Sequence, residues 1–551
     1  MIILGVVLSS LSVSVVSSST HFAQPESSSS IEISSLILED IHGGWGLTIH
    51  LRNNASVTLT DLTFHLSSAG GLFVRLPQDH YTLPDLSPGE DYTAHIAVFG
   101  VGLGFLLDYP HLFIDVSGPT IDAFRLTVVT RLIGPFVVKI GEYLDIDESC
   151  PGYTIFSPML SLSTYCINTK GEVVHTWESN LRPRLSVYLL EDGSILRPGD
   201  IVPNPVFAQG GGNGGNVQII DWNSTITWDF EYSTNQYCLH HDVEMLPNGN
   251  ILMIAWEYKT AYEAINAGRD PSTLIMGELW ADHIIEVEPT GPTTGTIVWE
   301  WHVWDHLIQD YDPGKDNFGP VAEHPELIDL NYVGNFGADW NHINSVDYHE
   351  DLDQILLSVR HFNEIWVIDH STTSEEAAGH TGGRYGKGGD LLYRWGNPQT
   401  YRAGTQEDQQ FYYQHDGRWI DPGLPGAGNI LVFNNGPPRH YSTVEELNPP
   451  IDEEGNYSYV PGEAYGPLAP YWTYMSENPY DFFALNLGSA HRLPNGNTLI
   501  CNGPYGILFE VTPDHQIIWE YLNTHPNVID NNVFSALKYP VEYPGFDQLE
   551  D

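Results

Sequence analysis

The chain has 551 residues, of which 42% are hydrophobic and 12% aromatic, so it is long enough for two or three domains with packed interiors. Its 71 acidic side chains against 21 basic ones give a formal charge of −50. Such a surface repels nucleic acid and anionic membranes, and argues against both as partners. Its ordinary use is solubility, including in a salty medium where the Debye length shrinks to ~3 Å at 1 M.

The first segment, Met1 to about Ser19, is an apolar run broken by serines, too short for a comfortable membrane span. It has the core and small-residue end of a signal peptide but lacks a basic start, since the first Lys or Arg is Arg52. Export to a secreted, cell-surface or periplasmic location is the expectation, with a retained N-terminal anchor as the alternative. Residues 20–30 end in four serines and read as a linker, so 1–30 is taken as leader plus Ser-rich linker.

From 31 to 140, short alternating runs such as Leu47 to Leu51, Leu62 to Leu66 and Tyr92 to Val98 are separated by turn residues. About seven short strands in this span predict an immunoglobulin-like β-sandwich. No cluster of polar groups dense enough for chemistry occurs in it.

From 150 to 551 the sequence repeats itself. Trp-centred strands recur at Trp177, Trp228, Trp299, Trp395, Trp472 and Trp519, and five of the six are followed by a hairpin signal. Two of those hairpins read Leu-Pro-Asn-Gly-Asn, at Leu246 and Leu493; Asn-Gly between hydrophobic runs is a strong short-range hairpin signal. Repeats of this size, rich in strands and aromatic residues, predict a β-propeller. Six Trp strands imply six blades, the last closed by strands from the propeller's own start near Tyr153 to Phe156, which removes the open edge. The fold class is therefore all-β. Of the four cysteines, Cys150 and Cys166 could pair locally in an oxidising compartment, while Cys238 and Cys501 read as buried thiols.

The strand leading into each hairpin is taken as the inner strand, whose first residues lie at one rim of the central channel. Reading back from the hairpins gives His240-His241-Asp242, then Asp339 to Asn344 containing His342, then Gln414-His415-Asp416, with Gly488 to His491 as a fourth, poorer counterpart. His342 and Asn344 are two apart, which on a strand turns them the same way. Arg360 follows one strand later, in a run otherwise rich in Ile, Leu and Val. Three blades thus aim histidines at one rim. A His-Asp pair at a strand end also serves to tie propeller blades together, and His349 and His361 read as ordinary surface residues. Three histidines can bind zinc, but the adjacent arginine opposes a dication and no HExxH pattern or CxxC spacing exists, so no metal and no cofactor is expected. A Ser-His-Asp hydrolase is disfavoured by the lack of a G-x-S-x-G elbow.

Taken in order, Pro151 to Pro158, His240 to Asn250, Asp339 to Ser345, Ser358 to Arg360, Gln414 to Asp416 and Arg492 to Asn497 with Phe509 to Pro513 resemble the nucleotide-independent aryl-sulfate sulfotransferase family of bacteria and archaea. The resemblance spans roughly 150–525. It implies a six-bladed propeller behind an N-terminal β-sandwich. It implies His415 as a nucleophile that becomes transiently sulfurylated, His342, Asn344 and Arg360 around the sulfate, and a histidine from an earlier blade. His241 fits that last place, with His240 as a one-residue ambiguity. The family's hydroxyl residue from a late blade has only a weak match in Ser489. The implied partners are small aryl sulfates and phenols, in ping-pong order. The chemistry is coherent: a neutral imidazole is a fair nucleophile, and an arginine fork suits sulfuryl oxygens. The competing expectation is a non-catalytic secreted propeller that binds a ligand or cell-surface polymer.

Overall fold

A computed structural model describes residues 31–549, apart from 34–35, 70–72, 103–109, 147–148, 202–203, 333–336 and 528–529. The leader and linker expected over 1–30 lie outside the described residues.

Six four-stranded antiparallel blades follow one another around a channel. Five take the innermost strand first in sequence, as with Tyr237–Met245, Ile251–Thr260, Glu278–Gly291 and Thr294–His302 in blade 3. Blade 4 starts at Ile343–His349, blade 5 at His415–Trp419 and blade 6 at Ser489–Arg492. In blade 2 the innermost position is shared by the two-residue strands Arg182–Pro183 and Tyr188–Leu189. Blade 1 is composite: three outer strands come from its start, Tyr153–Pro158, Ser163–Ile167 and Val173–Glu178, and the C-terminal strand Val533–Tyr539 supplies the inner one. The closure expected near Tyr153 to Phe156 is therefore present, and no blade edge is left open at that joint.

The repeated tryptophans sit on the outermost strands, and each indole N–H donates into the next blade. Trp177 donates to the Gly193 carbonyl (3.2 Å), Trp228 to Thr294 (3.1 Å), Trp395 to Pro467 (2.7 Å) and Trp472 to Pro513 (2.9 Å). Trp299 donates to the Thr372 hydroxyl (3.2 Å), and Trp519 completes the circle at the Thr169 carbonyl of blade 1 (2.6 Å). A large apolar ring with one polar handle is suited to this joint, because it fills the gap between blades and still satisfies its N–H.

On the inner strands, carboxylates and hydroxyls perform the same task. Asp242 accepts from the Val346 amide (3.1 Å), Asp347 from Trp419 (2.6 Å) and Asp416 from Ala490 (3.0 Å). Ser489 accepts from the Ala536 amide of the closing strand (3.2 Å), so its hydroxyl is engaged as a blade tie. In the His241-Asp242 and His415-Asp416 pairs, blade-tying therefore falls to the aspartate.

Ahead of the propeller lie, among the described residues, ten strands, three of them long: Leu36–Asn53, Ile121–Gly134 and Phe136–Ile146. This is more strand than the seven short runs anticipated, because the alternation continues through what reads as turn. Their core includes Leu47, Ile49, Phe64, Ile114 and Leu126, and it takes in Ile518 of blade 6. Val129 reciprocates by packing into the core around Trp519, and Asp145 pairs with Trp519. All four cysteines are buried free thiols, which overturns a Cys150–Cys166 disulfide; Cys150 and Cys166 fall in separate apolar clusters. No helix among the described residues is long and apolar enough to cross a membrane.

Candidate active site

The inner strands of blades 3, 4 and 5 each begin with a register shift, between Leu239 and Val243, Ile343 and Ser345, and His415 and Arg418. His241 (φ 58°), His342 (φ 57°) and Asp416 (φ 52°) hold left-handed backbone at these bulges. Non-glycine residues are rarely found there, and such strain gathers at functional sites. The bulges break the two-residue alternation, so His342 and Asn344 do not act as a same-face pair. Asn344 is wholly buried and its amide donates to the Gln414 carbonyl (2.8 Å), holding the backbone just before His415.

The rings of His241 and His342 meet edge to face at 4.6 Å, and His342 stacks on His361 at 4.7 Å. Phe534, from the closing strand, lies edge-on to both His241 (6.3 Å) and His415 (6.0 Å). Arg360 closes the group, its guanidinium over the Tyr413 ring (4.9 Å) and donating to Nε2 of His361 (3.0 Å). Four blades thus converge on one place. His361 is not the surface residue expected: it is buried, and its Nδ1–H donates to the Asp339 carbonyl (3.2 Å).

Hydrogen-bond partners fix which nitrogen of each ring faces the site. Asn435 uses its N–H groups on the carbonyls of Ala484 (3.0 Å) and Leu487 (2.7 Å), so its oxygen must accept, and it does so from Nδ1 of His415 (2.7 Å). His415 therefore keeps its proton on Nδ1 and a lone pair on Nε2. Asp339 accepts from the Trp256 indole with one oxygen (3.1 Å) and from Nδ1 of His342 with the other (2.5 Å), which leaves Nε2 of His342 as a second lone pair.

His240 does not face the site. It stacks on Trp256 (3.9 Å), bonds Asp282 through Nε2 (3.0 Å) and meets Nδ1 of His241 through its own Nδ1 (2.8 Å). That resolves the His240/His241 ambiguity: His241 is in the cluster, and His240 stands behind it.

Burial drives the electrostatics. It pushes His415 down to about 3, helped by the charge of Arg360. It lowers His241 and His342 well below the usual imidazole value, with the neighbouring histidines and Arg360 adding to the effect. These rings are neutral near pH 7. Burial acts the opposite way on the carboxyls behind them, raising Asp339 and raising Asp282 strongly.

Asp339, His342 and His361 have ligand atoms within 4.8 Å of one another. However, both Asp339 oxygens and both His361 nitrogens are engaged, and Arg360 stands at the spot a dication would approach, so these donors do not suit a metal. Above the rings runs Gly210 to Gly215 of blade 2. A Cβ on Gly212 would come within 2.6 Å of the His241 ring, and one on Gly211 within 3.1 Å of His342. Only glycine lets that loop lie so close. A cavity of about 540 Å³ opens alongside, walled by Val206, Tyr258, Met276 and Trp280 and sharing Asp339 with the cluster.

Asn435, Asp282, Asp339, His361 and the glycine loop were not picked out from sequence. The glycine run was the one visible signal; the others needed the blades to be brought together.

The chain is thus an all-β propeller protein in which buried neutral histidines from three blades meet beside an arginine. Residues 227–536, more than half of the chain, match the arylsulfotransferase (ASST) family, and the chain belongs to it. It is 25% identical to arylsulfate sulfotransferase AssT of Escherichia coli O6:H1 over 298 residues, covering 49% of this chain and 46% of that protein. It is 25% identical over 229 residues to arylsulfate sulfotransferase AssT of Lelliottia amnigena, covering 37% and 36%. The chain thus matches less than half the length of these curated relatives. A crystal structure of a protein of unknown function from Bacteroides caccae aligns at 12% identity and a TM-score of 0.38, covering 70% of this chain and 98% of that one; the likeness is too slight to argue from.

Proposed function

We propose that this chain moves the sulfuryl group of an aryl sulfate ester to a phenolic acceptor in two half-reactions, through a sulfurylated His415. The observation that carries the reading is the free Nε2 lone pair of buried, neutral His415, fixed by Asn435 beside Arg360.

The donor monoester carries one negative charge, and Arg360 supplies a planar set of N–H groups for its sulfuryl oxygens. We take its aryl group to extend towards the neighbouring cavity of Tyr258 and Trp280, which meets the cluster at Asp339. Nε2 of His415 attacks sulfur, a new N–S bond forms, and the S–O bond to the ring breaks with its electron pair on the phenolic oxygen. The His415 Nδ1–H stays on Asn435. His241 supplies the proton that oxygen needs. In the loaded state Asp282 is a neutral acid donating to Nε2 of His240, whose Nδ1–H donates to Nδ1 of His241, leaving Nε2–H of His241 at the site. Transfer to the departing phenolate moves each proton one place along the line. Asp282 ends as a carboxylate, steadied by the Ile343 amide (2.7 Å). The incoming phenol reverses the sequence: its proton returns along the same line, its oxygen attacks sulfur and the N–S bond breaks. His342, held by Asp339, borders the site with its Nε2 lone pair, while the single proton of the phenol goes to His241.

Residues 31–140 are read as an immunoglobulin-like spacer domain, 150–551 as the catalytic unit, and 1–30 as a leader that directs the protein out of the cytoplasm. The decisive experiment is intact-mass analysis after adding 4-nitrophenyl sulfate without acceptor. One sulfuryl group should be gained, discharged by phenol, and absent from His415→Ala. Full transfer by His415→Ala refutes the reading.

A further inference from the structure

A second cluster joins the connection between blades 3 and 4, which carries His306, to the loop of blade 4 between Glu364–Asp369 and Tyr393–Trp395, which carries His380 and Asp390. Nδ1 of His306 and Nδ1 of His380 both point at one oxygen, Oδ1 of Asp390, at 2.9 Å and 2.8 Å. Their separations of 84 and 10 residues along the chain follow no metal-binding spacing. The His306 side chain is wholly buried, Asp390 is 9% exposed, and His380 is 60% exposed at the mouth.

The place is built. His306 stacks on Trp301 at 5.6 Å, and Trp301 ties down the loop through the Gly389 carbonyl (2.7 Å). Gly389 has no room for a side chain, since a Cβ would fall 2.5 Å from Nε2 of His306. Nε2 of His306 meets the Ala377 carbonyl at 2.8 Å. A carbonyl only accepts, so the ring proton of a neutral His306 sits on Nε2, and its Nδ1 lone pair then faces a carboxylate oxygen. Two acceptors repel at that distance. The arrangement is satisfied either by a second proton, making a buried imidazolium, or by a cation held between the three groups. A backbone carbonyl fixing the far nitrogen is the usual support of a metal-bound histidine.

We infer that His306, His380 and Asp390 form a binding site for a divalent transition metal of the zinc type, with its remaining position open to solvent beside His380. Two imidazoles and a carboxylate are a recognised zinc donor set. Their ligand atoms already lie within 4.8 Å of one another, and a metal roughly 2.1 Å from each needs them only slightly further apart than they stand. Lys387 and Glu326 flank the site and offset each other in charge. The ion would staple the glycine-rich 378–390 loop, which has little core of its own, to the blade 3 side. This site is independent of the sulfuryl-transfer reading, and no metal enters that chemistry.

The test is calorimetric titration of the full chain, freed of metal by a chelator, with Zn²⁺ alone. The wild type should bind one equivalent. His380→Ala, which alters an exposed side chain, should weaken binding by more than about 100-fold, beyond the loss of an outer partner. It should melt like the metal-free wild type and keep its transfer activity. His361→Ala should bind zinc like the wild type. No uptake by the wild type, uptake that survives His380→Ala, or uptake lost in His361→Ala overturns the site.

Discussion

Nδ1 of His240 faces Nδ1 of His241 at 2.8 Å, with Asp282 on the far side of His240 and the channel on the far side of His241. One proton fits between the two nitrogens, so the protonation of Asp282 decides whether His241 shows the channel an N–H or a lone pair. His240→Gln or Asp282→Asn is expected to slow transfer from phenyl sulfate by about 10²–10⁴-fold, the usual worth of general acid catalysis. Sulfurylation of the enzyme by 4-nitrophenyl sulfate, read as the burst of nitrophenolate without acceptor, should change little, because that phenolate leaves without a proton. Rates measured against leaving-group acidity separate this from a merely structural role, which would lower both donors alike.

Asn435 holds the tautomer of His415. Asn435→Leu should leave His415 free to place its proton on Nε2, where it cannot attack. Sulfurylation followed by single-turnover mass analysis should slow by about 10²–10⁴-fold. Asn435→Asp, which still accepts on Nδ1, should recover part of the rate.

Arg360 stands over Tyr413 and beside His361 without an ion pair among the described residues. Arg360→Lys retains charge but loses the planar fork, so kcat/KM for aryl sulfates should fall by about 10²–10³-fold, the range for a lost oxyanion donor.

Burial pushes His240, His283, His361, His415 and His491 all down to about 3. The unfolded chain takes up a proton on each below about 6.5, whereas the folded one does not until about 3. Stability should therefore fall with pH through this window, by about 1.4 kcal/mol per pH unit for each such histidine at most. Melting temperatures from pH 7.5 to 4.5 check this. Activity of the still-folded fraction should hold, because His415 stays neutral across the window.

The indole of Trp519 closes the ring of blades on the Thr169 carbonyl. Trp519→Phe keeps an aromatic ring there but loses the bond, and should cost about 1–1.5 kcal/mol in denaturant unfolding. A change of that size with no shift in KM would place the effect in the scaffold.

The six Trp strands and the Asn-Gly hairpins were legible because both record local events: a tryptophan on each outer strand and a turn after an inner strand. Counting them gave six blades, and alignment of hairpins put His241, His342 and His415 at equivalent places. Alternation along a strand could not show that these histidines sit on bulges, since a bulge is decided by pairing with the neighbouring strand. Nor could it show which nitrogen each ring presents. Asn435 lies 20 residues from His415, and Asp282 lies 42 from His240. His361 read as a surface residue because nothing in Val359-Arg360-His361 reveals the stack against His342. The sequence by itself determined the repeat, its closure and the residue types at the rim. The tertiary structure alone decided burial and hydrogen-bond partners, and those set the charge and proton position on which the chemistry of an imidazole depends.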